Sequence, residues 1–286
     1  MVNFIASCLQ NPSINKRAQV ILELLYRSNR FIMREVNFMD DLLQLVEKTI
    51  KESSNIVAFT GAGVSTESGI PDFRSDGGLY NDKGKKYLYP PETILSHTFF
   101  MEHTELFYEY YRDKMIYLDV KPNDCHKALA VLEGMGKLKA VVTQNIDGLH
   151  QAAGSRNVLE LHGSIHRNSC MKCGKAFGLV SIVESKEIVP RCEKCQGIIK
   201  PDVVLYEEML DQEVISTAVN YIREADVLLI IGTSLVVYPA AGLIDYYRGS
   251  KLVLINKSVT PYDSRAQLVV HDSAGSVLKS IMESMK

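Results

Sequence analysis

A glycine-containing loop near the start of the chain carries residue types that suit a bound cofactor. The apolar stretch Asn55–Phe59 leads into Thr60-Gly61-Ala62-Gly63-Val64-Ser65-Thr66, and Gly69-Ile70-Pro71-Asp72-Phe73-Arg74 follows. Glycines between a strand and a helix let backbone N–H groups approach a pyrophosphate. The Gly-x-Gly-x-x-Gly spacing is incomplete, so a plain tight turn is the alternative. A proline followed by an acid, an aromatic ring and a base favours a loop that covers a ring-shaped ligand.

Polar side chains also follow two later apolar stretches. Gln144, Asn145 and Asp147 come after a stretch that ends at Thr143, and His162 comes after one that ends at Leu161. Open α/β sheets bind ligands at the carboxyl ends of their strands, so we expect these groups to meet. His162 at this strand end can then serve as a general base. A histidine that satisfies a local backbone group is the alternative, which the neighbouring polar strand end disfavours.

Two further strand ends carry small or polar groups, Gly232-Thr233-Ser234 and Asn256. Hydroxyl and amide groups can form hydrogen bonds with the phosphate and ribose groups of a dinucleotide. Asn256 takes the place of the acidic residue that contacts ribose in many dinucleotide-binding folds, and an ordinary turn asparagine is the alternative.

Four of the six cysteines have the spacing of a zinc ribbon. Cys170 and Cys173 form one pair, Cys192 and Cys195 form another, and eighteen residues separate the pairs. Four thiolates complete a closed tetrahedron, which predicts a structural ion rather than a catalytic one. Two disulfides or a redox pair are the alternatives. The remaining cysteines, at positions 8 and 125, are expected to be structural.

Composition places the chain among ordinary globular proteins. It has 286 residues and a net charge of −2, which argues against direct nucleic-acid binding. No apolar run reaches the roughly 18 residues of a membrane span, and the first segment lacks the pattern of a signal peptide. These observations predict a cytoplasmic protein without a membrane contact, and we expect a monomer.

Short apolar runs alternate with helical patterns, which predicts an α/β fold with a doubly wound, mostly parallel sheet. The helical patterns cover residues 126–138 and 211–224. The predicted strands are Ile56–Phe59, Ala140–Thr143, Val158–Leu161, Val203–Tyr206, Val227–Ile231, Leu252–Ile255 and Leu268–Val270.

Two insertions and an N-terminal extension interrupt this pattern. Residues 76–123 are rich in aromatic and charged side chains and predict a helical module with a mobile loop, whereas residues 167–199 hold the paired cysteines. The core is therefore expected at about 39–75, 124–166 and 200–286. Residues 1–38, with an amphipathic stretch at Ala18–Tyr26, are either an appended helix or the result of a start upstream of Met39. We expect them to be dispensable.

Together, these motifs resemble the sirtuins of bacterial type. The resemblance spans about Met39 to the C-terminus and follows the family's order and spacing. The motifs that carry it are the loop at Gly61–Arg74, Thr143–Asp147, His162-Gly163, the four paired cysteines, Gly232–Ser234 and Asn256. Sirtuins are NAD-dependent protein-lysine deacylases in which a Rossmann-type domain and a smaller domain, made of a zinc ribbon and a helical insertion, flank the active site.

The resemblance implies that NAD is a co-substrate and that one structural Zn²⁺ is bound by the four cysteines. His162 and Asn145 are the implied catalytic residues, with Gln144 and Asn145 at the nicotinamide ribose and Ile146 and Asp147 at the carboxamide. The implied NAD contacts are Gly61, Ala62, Gly63, Ser65, Thr66, Asp72, Phe73, Arg74, Gln144, Asn145, Ile146, Asp147, His162, Gly232, Thr233, Ser234, Asn256, Lys257 and Ala274.

The same resemblance implies the reaction. The acyl oxygen of acetyl-lysine attacks the anomeric carbon of NAD as nicotinamide departs, which gives an O-alkylamidate. His162 then activates the ribose hydroxyl, and the products are nicotinamide, free lysine and O-acetyl-ADP-ribose. Since an amide oxygen is a weak nucleophile, its positioning in a dry pocket matters more than a strong base at the first step.

The acylated peptide is expected to add as a strand between two segments. They are Val203, Val204, Leu205 and Tyr206 on one side and Leu235, Val236 and Val237 on the other. The family usually has an aromatic-Gly-Glu sequence where this chain has Tyr206-Glu207-Glu208. Glu207 either favours basic residues beside the acyl-lysine or is a solvated loop acid.

A second departure concerns the acyl group. Sirtuins that prefer succinyl or malonyl groups have a tyrosine followed three residues later by arginine, whereas here Tyr108 is followed by Tyr111, and Arg112 stands one residue beyond. One residue turns a helical side chain by about 100°, so the sequence predicts removal of acetyl or longer apolar groups. A protein mono-ADP-ribosyltransferase, an NAD hydrolase and an NAD-binding sensor remain alternatives.

Overall fold

The computed structural model describes residues 39–81 and 86–285. The predicted helix at Ala18–Tyr26 lies outside these ranges, as does Cys8. The chain divides into two compact units, residues 1–48 and 49–286. The described part of the first unit is helical, and residues 49–52 of the second are helical as well. The boundaries predicted for the N-terminal extension and for the insertions stay predictions.

Six parallel strands form the main sheet, in the order β3-β2-β1-β7-β8-β9. Their bounds are Ile56–Thr60 (β1), Leu138–Thr143 (β2), Val158–Glu160 (β3), Val227–Ile231 (β7), Lys251–Ile255 (β8) and Leu268–Val270 (β9). Every residue of β1 and β7 is buried. Helices on both faces of a parallel sheet exclude water from the central strands, which is why continuous apolar runs predict them. The predicted doubly wound sheet is confirmed.

A second, antiparallel sheet has the order β5-β4-β6. Its strands are Gly163–Cys170 (β4), Ala176–Gly178 (β5) and Ile199–Val203 (β6). The prediction that Val203–Tyr206 is a strand of the parallel sheet is therefore wrong. Only Val203 belongs to a strand, because the backbone N–H groups of Val204 and Tyr206 donate to carbonyl oxygens outside that sheet, those of His162 and Leu95.

The helices of the core and of the first insertion are confirmed. Asn123 caps the first crossover helix in a capping box with His126, and the helix ends at Gly134 rather than at the predicted Leu138. Gly136, at φ 72°, begins the turn into β2. The α-helices of the second unit are Pro91–Ile94, His97–Glu102, Thr104–Lys114, Asp124–Gly134, Leu149–Ala152, Val180–Val183, Gln212–Glu224 and Ala274–Ser284. The 3-10 helices are Ala62–Val64, Thr66–Ser68, Leu79–Asn81, Ala240–Tyr246 and Asp263–Arg265.

Two apolar clusters stabilise the second unit. One packs the helix Gln212–Glu224 against the main sheet. The other joins the helical insertion to the cysteine-containing module through Phe100, Phe107 and Tyr111, which are fully buried. Within the described ranges, no helix is both long and apolar enough to span a membrane.

The loop after β1 lies directly against the end of β7. The N–H of Gly61 donates to the oxygen of Ile231 at 3.2 Å, and that of Gly63 donates to the oxygen of Gly232 at 2.8 Å. These two N–H groups are therefore used within the protein, and the expectation that backbone N–H groups of this loop approach a pyrophosphate stays a prediction for its other residues. The glycines serve backbone contact instead, since a Cβ at Gly63 would lie 2.7 Å from the Gly232 oxygen.

We predict that Gly63→Ala lowers the free energy of unfolding by about 1–3 kcal/mol, because its methyl group forces the two loops apart. Urea unfolding measures this change. Gly134→Ala is the matched control, since a Cβ there meets nothing within 4 Å and alanine favours the helix. Equal stabilities of the two variants would contradict the proposed close contact.

Candidate active site

One cavity of about 550 Å³ lies at the carboxyl ends of the parallel strands. All residues predicted to contact the cofactor line it. Five of the residues predicted to bind peptide, Val203, Val204, Leu205, Tyr206 and Val237, line it as well. Leu235 and Val236 do not: the first is 2% exposed and the second 47% exposed. The polar strand ends identified in the sequence are thus brought to one place.

Ser65 links two of the polar groups in the cavity. Its hydroxyl donates to Oδ2 of Asp147 at 2.7 Å and accepts from Nδ2 of Asn145 at 3.1 Å. The Asp147 carboxyl also accepts from the backbone N–H of Leu149. Burial raises the pKa of Asp147, and these two donated bonds oppose the rise. The arrangement fixes an amide and a carboxylate side by side.

His162 is held in one tautomer. Its Nδ1 lies 2.9 Å from the carbonyl oxygen of Gln144, which can only accept, so Nδ1 carries the proton. Nε2 is then the acceptor atom of the ring. Burial lowers the pKa of His162, while the bond to Gln144 opposes this. The neutral imidazole required of a general base is therefore the favoured form at neutral pH.

Three other residues that are predicted to contact the cofactor form hydrogen bonds within the protein. Nε2 of Gln144 donates to the hydroxyl of Thr233 at 3.0 Å, which ties the end of β2 to the end of β7. Nδ2 of Asn256 donates to the oxygen of Ser258 at 2.7 Å, as a turn asparagine does. Oδ1 of Asp72 accepts from the N–H groups of Arg74 and Ser75, so this carboxylate shapes its own loop.

The sulfur atoms of the four paired cysteines lie close enough together to bind one ion in a tetrahedral arrangement. Their sulfur atoms all lie within 4.8 Å of one another. Sγ of Cys170 is 3.4 Å from that of Cys195, and Sγ of Cys173 is 3.7 Å from that of Cys192. Zn–S bonds of about 2.3 Å place tetrahedral sulfurs about 3.8 Å apart, so the donor set fits Zn²⁺. All four cysteines are free, which is contrary to the disulfide alternative.

Comparison with known proteins assigns the chain to a family. The Sir2 family profile matches residues 61–239. The NAD-dependent protein deacetylase of Clostridium acetobutylicum is 61% identical over 242 residues, which cover 85% of this chain and 98% of the relative. This chain belongs to the Sir2 family.

Other members are similar along nearly their whole length. The NAD-dependent protein deacetylase of Clostridium tetani is 60% identical and covers 86% of this chain and 99% of its own. A Sir2 variant solved with a deacetylated p53 peptide and 3'-O-acetyl ADP ribose superposes with a TM-score of 0.78 at 36% identity, over 85% of this chain and 98% of that one. A Sir2 structure bound to acetylated peptide gives a TM-score of 0.76 at 35% identity, with the same coverage.

Sequence reasoning missed the apolar wall of the cavity. Leu95, Met115 and Ile165 line it together with Tyr111. The aromatic run around Tyr111 was the available signal, whereas the other three come from separate elements that only the fold brings together. Arg112 is not among the lining residues: it donates to the backbone oxygens of Ile182 and Glu187, each at 3.1 Å.

Glu207 stands where the Sir2 family usually has glycine, and its backbone keeps the glycine conformation at φ 76°. Its carboxylate accepts from the N–H of Thr98 at 2.9 Å, and this bond lowers the pKa of Glu207. Glu207 also lines the cavity. The side chain is therefore neither purely solvated nor free to follow a peptide, because it anchors the segment to the helix His97–Glu102.

We predict that Glu207→Gly melts about 2–4 °C higher than Glu207→Ala. Both variants lose the bond to Thr98, but alanine keeps the unfavourable left-handed backbone and glycine does not. Differential scanning calorimetry of the two proteins measures the difference. A higher melting temperature for the alanine variant would mean that the segment leaves this conformation.

Proposed function

We propose that the chain is an NAD-dependent protein-lysine deacetylase that transfers the acetyl group of acetyl-lysine to ADP-ribose and releases nicotinamide. One observation carries the proposal. The same cavity is lined by the polar residues at the strand ends that are predicted to contact NAD, by a histidine whose proton is held on Nδ1, and by the segment 203–206 that is predicted to bind the peptide. The names of the similar proteins and the peptide complexes of similar structures support the same activity.

In this proposal NAD occupies the polar part of the cavity. The backbone N–H of Ala62 has no backbone partner among the described residues, so it is the donor that we propose for a phosphate. Phe73, Arg74 and Thr66 line the cavity and contact NAD. Gln144 and Asn145 hold the nicotinamide ribose, while Ile146 and Asp147 engage the carboxamide.

His162 acts as the base at Nε2. The bond from Nδ1 to the Gln144 oxygen orients the ring and lets Nε2 accept a proton from a ribose hydroxyl. When NAD is bound, it supplies the electrophilic carbon and the leaving group. The Asn145 amide, fixed by Ser65, orients the ribose beside the base.

Acetylated proteins or peptides are the proposed partners, bound between the segment 203–206 and the segment 235–237. The N–H and oxygen of Val236 have no backbone partner among the described residues, which leaves them for a peptide strand. On the other side Tyr206 has both backbone groups paired, so its side chain rather than its backbone meets the peptide. A monomer, the lack of nucleic-acid binding and a cytoplasmic location stay predictions from the sequence.

The test is mass spectrometry of the products formed from NAD with and without an acetyl-lysine peptide. We expect nicotinamide and O-acetyl-ADP-ribose only when the peptide is present. His162→Gln should lower the rate at least about 100-fold through loss of the base. His103→Gln, an exposed histidine outside the cavity, is the control and should keep the rate.

Each of the other outcomes would indicate a different activity. Nicotinamide and free ADP-ribose without peptide would indicate an NAD hydrolase. ADP-ribose attached to a protein would indicate a mono-ADP-ribosyltransferase, and binding of NAD without turnover would indicate a sensor.

Acyl preference gives a second test. The Arg112 guanidinium is held by two backbone oxygens and lies 5.7 Å from the centre of the Tyr108 ring, so it does not offer its charge to an acyl group. We predict a higher kcat/KM on acetyl-lysine than on succinyl-lysine peptides of the same sequence, since the succinyl carboxylate would be buried without Arg112 as its partner. Arg112→Lys should leave the succinyl-to-acetyl ratio unchanged. A ratio above one in the unmodified protein would refute this assignment.

A further inference from the structure

Two tyrosine hydroxyls join the predicted NAD-binding and peptide-binding segments. The hydroxyl oxygen of Tyr80 lies 2.6 Å from that of Tyr206. Tyr80 belongs to residues 71–81, which we call the cofactor loop, and this loop includes Phe73 and Arg74. Tyr206 belongs to the segment beside which the peptide is proposed to bind. One hydrogen bond therefore spans from the site of one substrate to the site of the other.

Tyr80 is tightly connected to the NAD contacts of the cofactor loop. Its backbone N–H donates to the oxygen of Phe73 at 2.9 Å, and the two rings meet edge to face with centroids 5.6 Å apart. The guanidinium carbon of Arg74 lies 5.2 Å from the centre of the Tyr80 ring. A displacement of Tyr80 consequently displaces the aromatic and the basic group that are proposed to contact NAD.

The other hydrogen bonds of the cofactor loop stay within it. Asp72 accepts from two neighbouring N–H groups, and Nδ2 of Asn81 donates to the oxygens of Arg74 and Ser75. Among the described residues, the bond from Tyr80 to Tyr206 is the one hydrogen bond by which residues 71–81 reach another part of the protein. This bond therefore positions the loop over the cavity together with the burial of Leu79 and the packing of Phe73 on the apolar cluster of the helical insertion.

Tyr206 is fixed at its backbone and adjustable at its side chain. Its N–H donates to the oxygen of Leu95 at 3.0 Å, and its oxygen accepts from the N–H of His97 at 2.9 Å. The residue is 37% exposed, and it lines the cavity. A peptide that packs against this ring restricts the rotation of the side chain, and that restriction reaches Tyr80 through the shared hydroxyl bond.

We propose that Tyr80 is a positioning residue that couples binding of the acylated peptide to binding of NAD. This inference rests on the proposed function. A peptide that holds Tyr206 in place also holds the cofactor loop in place, so the loop loses less conformational freedom when NAD binds. By linkage, NAD strengthens peptide binding by the same factor. A single hydrogen bond limits the coupling to about three- to tenfold.

The experiment measures the dissociation constant of an NAD analogue whose bond to nicotinamide does not cleave, with and without an acetyl-lysine peptide, by isothermal titration calorimetry. The ratio of the two constants is the coupling factor. We expect a factor of about three to ten in the unmodified protein and about one in Tyr80→Phe. The melting temperature of the variant should change little, because phenylalanine keeps the ring contacts with Phe73 and Arg74.

Tyr246→Phe is the matched control. Tyr246 is also partly exposed and also lies beneath an arginine, with the guanidinium carbon of Arg223 6.0 Å from its ring centre, but it does not line the cavity. This variant should keep the coupling factor. Adding Tyr206→Phe to Tyr80→Phe should cause no further loss of coupling, since the two hydroxyls act as one unit.

A Tyr80→Phe protein that keeps the full coupling factor would overturn the inference, as would a factor of one in the unmodified protein. Failure of the unmodified protein to bind either the NAD analogue or the peptide would instead refute the proposed function. The two failures are therefore distinguishable in the same titrations.

Discussion

The site depends on the direct backbone contact between the loop after β1 and the end of β7. The N–H of Gly63 donates to the oxygen of Gly232, and a Cβ on either glycine would collide with the backbone of the other loop. This contact sets the height of Ser65 above the sheet. A separation larger by one methyl group, about 1.5 Å, would take the Ser65 hydroxyl beyond hydrogen-bonding distance of Asp147 and Asn145.

From that contact follows a network in which Ser65, Asn145 and Asp147 are hydrogen-bonded to one another before any substrate binds. Ser65 is 1% exposed and Asn145 is 7% exposed, and each has its partner within the site. Buried polar groups without partners cost about 1–3 kcal/mol each, so the network is stable only as a whole. Its rigidity suits a reaction in which a weak nucleophile must be held in line with a leaving group.

Much of this arrangement was predictable from the sequence, for two physical reasons. A parallel sheet covered on both faces needs continuous apolar strands, which made β1 and β7 visible. Parallel strands also end at the same edge, so polar residues such as Asn145 and His162 had to meet there.

The strand β4 was missed, because an antiparallel strand in a small metal-centred sheet needs no apolar run. The segment 203–206 was misplaced for the converse reason: Val203 and Leu205 pack in the cluster of the helical insertion, and Glu207 turns the chain with a left-handed backbone that its residue type does not signal.

The histidine shows how burial and reactivity balance in this cavity. Burial lowers the pKa of His162, which makes the ring a weaker base but keeps Nε2 unprotonated at neutral pH. A stronger base would be protonated for part of the time, and it would bring a positive charge close to a cofactor that develops positive charge at its own reacting carbon. Leu95, Met115 and Ile165 form an apolar wall of the cavity, and in the proposed reaction this wall disfavours water as a competitor of the ribose hydroxyl. For the proposed transfer a weak base that is unprotonated at neutral pH is therefore sufficient, because its position beside the ribose hydroxyl matters more than its strength.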